Sequence, residues 1–192
     1  MGTERPVAKR KPRADAERNR LRLLEVARAS FAAQGAGASL EEIARAAGVG
    51  IGTLYRHFPS RDVLVAEVYR QAIGQLGEAA KRLAAERRPI EALRAWLLLF
   101  VDYLATKKIM ADALNALGGG TAELYATSGS QLEAAIGLLT SRATADGAIR
   151  LDLAPLDLLR AIAGVAHAGA GPGWEKSAQR MVDVLIAGLA TD

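Results

Sequence analysis

The chain lacks cysteine entirely and has only two histidines, His57 and His167, in its 192 residues. Without thiols it can form neither disulfides nor cysteine-ligated zinc or iron–sulfur sites, and it has no thiolate nucleophile. Two histidines leave little for a metal centre. No apolar run reaches the roughly 18 residues that a membrane-spanning helix needs. We therefore expect a soluble, cytoplasmic protein with no metal site and no cofactor.

The sequence signatures of common enzyme sites are also missing. The glycine-rich segment Gly48–Thr53 has Thr53 where the third glycine of a dinucleotide-binding loop belongs, and no strand precedes it. The segment Gly118–Thr121 lacks the Gly-Lys-Ser/Thr of a phosphate-binding loop. Neither the G-x-S-x-G of serine hydrolases nor the H-E-x-x-H of zinc proteases occurs. We do not expect an enzyme.

What the chain has in abundance is aliphatic helix-forming sequence. Hydrophobic residues make up 51% of it and aromatics only 5%, which excludes an intrinsically disordered chain. Apolar residues recur every three to four positions and no segment alternates strictly, so the predicted fold is all-α. Residues 1–14, with Pro6 and Pro12, are expected to form a flexible basic arm. The predicted helices are 15–34, 39–47, 50–58, 60–86, 90–106, 108–117, 121–144, 155–168 and 174–190.

Positive charge is concentrated near the N-terminus. Residues 1–70 contain 13 Lys and Arg against 8 Asp and Glu, whereas the remaining residues are close to neutral. A cation-rich third on an otherwise neutral chain indicates a polyanionic partner at that end. A solvated basic tail kept for solubility is the alternative for the charge pattern alone.

The segment 39–58 has the proportions of a helix-turn-helix. Ser39 and Glu42 have the spacing of a capping box, Gly48 ends the first helix, and a second short helix follows. The apolar pattern predicts one small core, made of Leu24, Ala27, Phe31, Ile43, Ala47, Val49, Leu54 and Phe58. The outward face of the second helix would carry the polar and small residues that can read base edges in the major groove: Ile51, Gly52, Thr53, Tyr55, Arg56 and His57.

These residues resemble a known family. Phe31 and Gly35, the segment Ser39–Val49 and the block Gly52–Leu64 are similar to the DNA-binding domain of the TetR transcriptional regulators. The resemblance covers about residues 15–70. It implies a three-helix helix-turn-helix domain over 15–60, with a recognition helix at about 50–58, and a helical effector-binding and dimerisation domain over 61–192. The implied function is repression of transcription, relieved by a small-molecule effector.

The resemblance also implies roles for single residues. Thr53, Tyr55 and His57 correspond to phosphate or base contacts, and Arg61 corresponds to a phosphate anchor at the start of the fourth helix. Ile51 and Gly52 lie where the family reads bases, with Arg56 adjacent. Gly50 stands where serine is usual, so this helix begins without a side-chain cap. The implied partner is a pseudo-palindromic operator in double-stranded DNA, bound by a homodimer with its two recognition helices about 34–36 Å apart.

Two sets of residues in the second half extend this prediction. Large side chains predict a pocket for a small apolar or aromatic effector: Trp96, Phe100, Tyr103, Met110, Leu114, Tyr125 and Trp174. Apolar positions on the last two helices predict a dimer interface: Leu159, Ile162, Ala166, Val182, Leu185, Ile186 and Leu189. Each aromatic could instead belong to the core, and part of each stripe must pack inside the monomer. A helical protein-interaction module that has kept the fold without reading DNA is the alternative function.

Overall fold

The computed structural model describes residues 11–117, 121–169 and 173–191. These residues are helical apart from turns and one isolated antiparallel bridge between Ile149 and Ala190. Residues 1–10 of the predicted arm, the predicted turn at 118–120 and part of that at 171–173 lie outside the described residues. The helices are α1 (Lys11–Gln34), α2 (Leu40–Ala46), α3 (Ile51–His57), α4 (Arg61–Glu86), α5 (Pro89–Ile109), α6 (Ala111–Asn115), α7 (Thr121–Ala145), α8 (Pro155–Ala168) and α9 (Trp174–Leu189).

The all-α prediction is confirmed, and the helix boundaries differ by a few residues. α1 begins at Lys11, so residues 11–14 of the predicted arm belong to the helix. Pro12 falls in its first turn, where a helix tolerates proline because the amides there have no intrahelical partner. A short 3₁₀ turn, Gly35–Gly37, follows α1. As the pattern predicts, Pro89 and Pro155 are the first residues of α5 and α8.

Helices α1 to α3 form a small head around one apolar centre. Leu24, Ala27 and Phe31 of α1 are buried, as the spacing along this helix predicts. Ile43 and Leu54 from the two short helices close the centre from the other side. Their burial fixes α3 against α1 and α2, and it thereby determines which face of α3 points outward.

The remaining helices form a larger bundle, in which α4 packs against both α5 and α7, and α5 also contacts α8 and α9. α8 and α9 pack against each other on one side. A continuous apolar core runs from the head into this bundle, with α4 contributing to both. Within the described ranges, no helix combines the length and apolarity needed to cross a membrane.

Candidate DNA-binding site

The turn between α2 and α3 has the geometry of a Schellman motif. The Gly48 amide donates to the carbonyl of Arg45, and the Val49 amide donates to that of Ala44, both at 3.0 Å. Gly48 adopts a φ of +72°, which an L side chain disfavours. This motif ends α2 sharply and sets the direction in which α3 leaves.

The first helix of the motif begins with a side-chain cap. Ser39 Oγ accepts from the Glu42 amide at 3.3 Å, as predicted. The Glu42 carboxylate, which a capping box directs back to the Ser39 amide, lies 3.7 Å from Arg45 on the next turn. Ser39 Oγ instead donates to Glu41 at 3.0 Å. The backbone amide and the Ser39 hydroxyl hold the pKa of Glu41 below its usual value, so the first turn of α2 carries a fixed negative charge.

The structure places most of the predicted reading face of α3 at the surface. Gly52, Tyr55 and Arg56 are exposed, with Tyr55 46% accessible, while Thr53 and His57 are half-buried. Ile51 is partly buried and packs against the apolar core, which reduces its outward surface compared with the prediction. The face available to a partner is thus polar and small, with one aromatic ring.

Arg56 lies folded along its own helix. Its Nε donates to the Gly52 carbonyl at 3.1 Å and its Nη2 donates to Thr53 Oγ1 at 3.0 Å. Both bonds are exposed, so water can replace them at little cost. The guanidinium can therefore swing out to meet a base edge, and its release frees the Thr53 hydroxyl at the same time.

Arg61 is tied to the head by its own contacts. Its Nη1 donates to the Ala38 carbonyl at 2.6 Å, and the guanidinium lies 5.1 Å from the centroid of the Phe31 ring. These contacts attach the start of α4 to the segment before α2. The phosphate contact that the resemblance implies for Arg61 stays a prediction, and a substitution there would also disturb the packing of the head.

A residue that the sequence analysis missed supports the end of α3. The Arg20 guanidinium lies 5.7 Å from the Phe58 ring centroid and forms a half-buried ion pair with Glu67 of α4. Glu67 also pairs with Arg70 at 2.6 Å. Arg20 thus joins α1, the end of α3 and α4. The sequence held no local signal for this contact, since the ion pair spans 47 residues.

Three of the seven predicted effector-pocket residues line one cleft between helices of the bundle: Phe100, Tyr103 and Tyr125. Tyr69 of α4 joins them, although the sequence analysis did not select it. Trp96 stacks on Phe100, with ring centroids 6.0 Å apart, and donates from Nε1 to the Leu76 carbonyl at 2.8 Å. Trp96 is fully buried, so it supports the cleft from behind.

The other three predicted pocket residues lie elsewhere. Met110 and Leu114 are buried where α5 meets α6, and α6 packs against the 3₁₀ turn of the head. Trp174 packs at the corner between α8 and α9, where a side chain at Gly169 would collide with it. Lys108 lies 5.2 Å from its ring centroid and donates to the Gly169 carbonyl at 2.7 Å. None of the three lines the cleft, and the structure gives each of them packing contacts; their predicted role in an effector pocket stays a prediction.

The predicted dimer residues divide into two groups. Four of them are only 0–6% exposed and belong to the core of the monomer, so they can bury little more in an interface: Leu159, Ile162, Ala166 and Val182. Leu185, Ile186 and Leu189 are partly exposed. The most exposed large apolar side chain nearby is Val184, at 64%, which is not in the predicted set. It lies two positions from Val182 and therefore on nearly the opposite side of α9.

The site and its support define a class of protein: a helix-turn-helix DNA-binding head carried by a helical bundle. Residues 23–68 match the bacterial regulatory proteins of the tetR family. Residues 88–191 match the C-terminal domain of SbtR-like transcriptional regulators. The chain belongs to the TetR family of transcriptional regulators, which bind DNA and are not enzymes.

Solved structures and curated relatives agree with this assignment. A TetR regulator from Streptomyces coelicolor is 40% identical with a TM-score of 0.81, covering 89% of this chain and 98% of its own. One from Mycobacterium vanbaalenii is 34% identical with a TM-score of 0.76, covering 93% and 99%. The regulator AcrR of Shigella flexneri is 32% identical over 102 residues, which is 52% of this chain. The match spans about half the length of that curated relative.

Proposed function

We propose that this protein is a repressor that binds a pseudo-palindromic operator as a homodimer and is released by a small molecule bound in the helical bundle. The observation that most directly supports DNA binding is the exposed polar face of α3. Leu54 on the opposite face of this helix is buried and so holds the polar face outward. Arg56, Thr53 and Tyr55 supply donors and acceptors on that face, which base edges in the major groove require. Because the family consists of bacterial regulators that act on DNA, we propose that this action takes place in the cytoplasm.

The outward surface of α8 and α9 supports the homodimer. Met181, Val184 and Gly188 follow one another at helical spacing on α9, and Val184 and Gly188 are exposed. Ala161 and Gly164 of α8 are exposed as well. Small residues let helices of two subunits approach closely, and a four-helix interface can result. We therefore assign the interface to this surface, together with the partly exposed members of the predicted set.

Helix α4 supports a route from effector to operator. Its Tyr69 lines the cleft in the bundle, and its Glu67, two residues closer to the head, pairs with Arg20 beneath the end of α3. An effector that prefers one angle of α4 changes the separation of the two reading heads. Shifting the population from 1:99 to 99:1 takes about 5.5 kcal/mol of differential affinity. Operator DNA should weaken effector binding by the same factor.

The decisive experiment is to select duplexes from a randomised pool with the purified protein and to measure their binding by fluorescence anisotropy. The variant Arg56→Gln should weaken binding to the selected duplex by about 5- to 150-fold, since a bidentate base contact contributes about 1–3 kcal/mol. Its binding to random duplex should fall less. Arg150→Gln is the matched control, because Arg150 is an exposed arginine in the loop before α8. Selection of no preferred duplex, or equal losses in the two variants, would contradict the proposal.

A further inference from the structure

The cleft in the bundle has aromatic walls. It is an open groove of about 270 Å³ between α4, α5, α7 and α8. Tyr69 and Tyr125 meet edge to face with centroids 5.7 Å apart, and Phe100 and Tyr103 are in contact at the same distance. The volume lies just below the roughly 300–1,000 Å³ of pockets for drug-sized ligands. Such walls and such a size suit a ligand with a single flat ring.

The hydroxyl groups of the cleft are neutral. Tyr103 donates to the Tyr69 hydroxyl at 2.8 Å, and Ser128 donates to the Leu124 carbonyl at 2.7 Å. Burial raises the pKa of both tyrosines, so neither phenol ionises near neutral pH. Among the described residues that line the cleft there is no Asp or Glu. The lining therefore offers no negative charge to balance a cation.

Two cations line the cleft and they differ in their partners. Arg160 pairs with Asp157 at 2.7 Å, so its charge is compensated locally. The Lys107 ammonium lies 4.9 Å from the centroid of the Tyr125 ring, and no described carboxylate comes within 4.0 Å of it. Burial lowers the pKa of Lys107, which reflects the loss of water around its charge. A half-buried ammonium whose partner among the described side chains is an aromatic ring favours an anion beside it.

We propose that the cleft binds a small aromatic anion, an aryl carboxylate in the simplest case, with its ring packed against the aromatic wall of the cleft and its carboxylate on Lys107 Nζ. Binding itself is independent of the proposed repressor function, and only the role of this anion as the releasing effector rests on that function. A ligand that fits this cleft needs both an aromatic ring and a negative charge. A neutral ring would leave the ammonium uncompensated, and an anion without a ring would leave the aromatic walls unfilled.

The test is calorimetric titration of the full chain with benzoate and with benzamide, which have nearly the same shape and differ in charge. The wild-type protein should bind benzoate at least tenfold more tightly. Lys107→Gln should remove that preference, and Lys107→Arg should retain most of it because the charge remains. The control is Lys81→Gln, since Lys81 is an exposed ammonium on α4 paired with Glu78 at 2.8 Å. Circular dichroism establishes that each variant is folded.

Three results would overturn the inference: no benzoate binding to the folded wild-type protein at millimolar concentration, equal affinity for the two probes, or a preference that survives in Lys107→Gln. The same preparations are titrated with the selected duplex in the absence of probe. Absence of specific duplex binding by the wild-type protein counts against the repressor function alone. Absence of charge discrimination in the wild-type protein, or its persistence in Lys107→Gln, counts against the cleft alone. If the repressor function and the anion-binding cleft are both correct, benzoate should weaken duplex binding, and the duplex should weaken benzoate binding by the same factor.

Discussion

The head and the bundle use polar side chains in opposite ways. In the head, a small apolar centre holds the polar face of α3 outward, and Arg56 makes only bonds that solvent can replace. In the bundle, the buried polar groups bond to one another or to the backbone, as Tyr103 does with Tyr69 and Trp96 with the Leu76 carbonyl. The head is therefore built to exchange its contacts with a partner. The bundle is built to keep its interior contacts fixed around one cleft.

This contrast places different demands on stability. Two short helices of seven residues each cannot persist alone, so the head depends on a few buried side chains and on its caps. The bundle has long helices and a larger shared core, which tolerates a small loss more readily. We expect substitutions in the head to affect operator binding first, and substitutions on the surface of the bundle to affect assembly first.

The largest effect should follow Leu54→Ala. Leu54 is fully buried and holds α3 against the other two helices of the head. Truncating a buried leucine to alanine costs about 2–5 kcal/mol. Hydrogen exchange should show lost protection across α1 to α3 while α8 and α9 stay protected, and binding of the selected duplex should disappear.

Leu54→Met is the control for that experiment, because it nearly conserves volume and should cost less than about 1.5 kcal/mol. It should retain duplex binding. If Leu54→Ala instead lowers protection of α8 and α9 in parallel, the head and the bundle unfold as one unit and the distinction drawn between them fails.

Val184→Arg should break the proposed dimer and leave the monomer folded. Val184 is 64% exposed, so the substitution removes no core packing, but in a symmetric interface it would bring two like charges together. Light scattering should show the dimer dissociating at protein concentrations at least tenfold higher than for the wild type. Operator affinity should fall as well, since two heads bind together.

The control for the interface is Leu138→Arg, which places the same charge on an exposed apolar position of α7. It should leave the dimer intact. A dimer that persists in Val184→Arg, or one that is lost in Leu138→Arg, assigns the interface to another surface.

The head was more predictable from the sequence than the bundle, for a physical reason. A short helix on a small core has a single buried face, so the spacing of Ile43, Leu54 and Phe58 predicts both what is buried and what points outward. Helices of the bundle have apolar residues on more than one side. On α9 the stripe with Val182 faces the core, and the stripe with Val184 faces out. Periodicity identifies both stripes and does not say which of them meets a neighbouring helix.

Contacts between segments that are distant in the chain could not be predicted from the sequence either. The Arg20–Glu67 pair and the Tyr69–Tyr103 bond join residues 47 and 34 positions apart. No local pattern signals either one. The large side chains of the bundle predicted an effector pocket, and three of them, Phe100, Tyr103 and Tyr125, line one cleft. Their size alone could not show that Trp96 and Trp174 lie outside that cleft, and the effector pocket itself stays a prediction.

The smallest effects are expected from replacing Gly48 or Gly50 with serine, which tests the backbone conformation of the head at two nearby positions. Gly50 caps α3 with a φ of −74°, and a Cβ there meets nothing within 4 Å. Gly50→Ser should therefore stabilise the protein by about 0.5 kcal/mol, through lower entropy of the unfolded chain and an added cap. Gly48→Ser should destabilise it by about 1–2 kcal/mol, because φ at Gly48 is +72°. Urea unfolding measures both. If the two substitutions change the free energy of unfolding in opposite directions, the left-handed conformation of Gly48 is required by the fold of the head. If both change it in the same direction, the turn can adopt another conformation and does not fix the direction of α3.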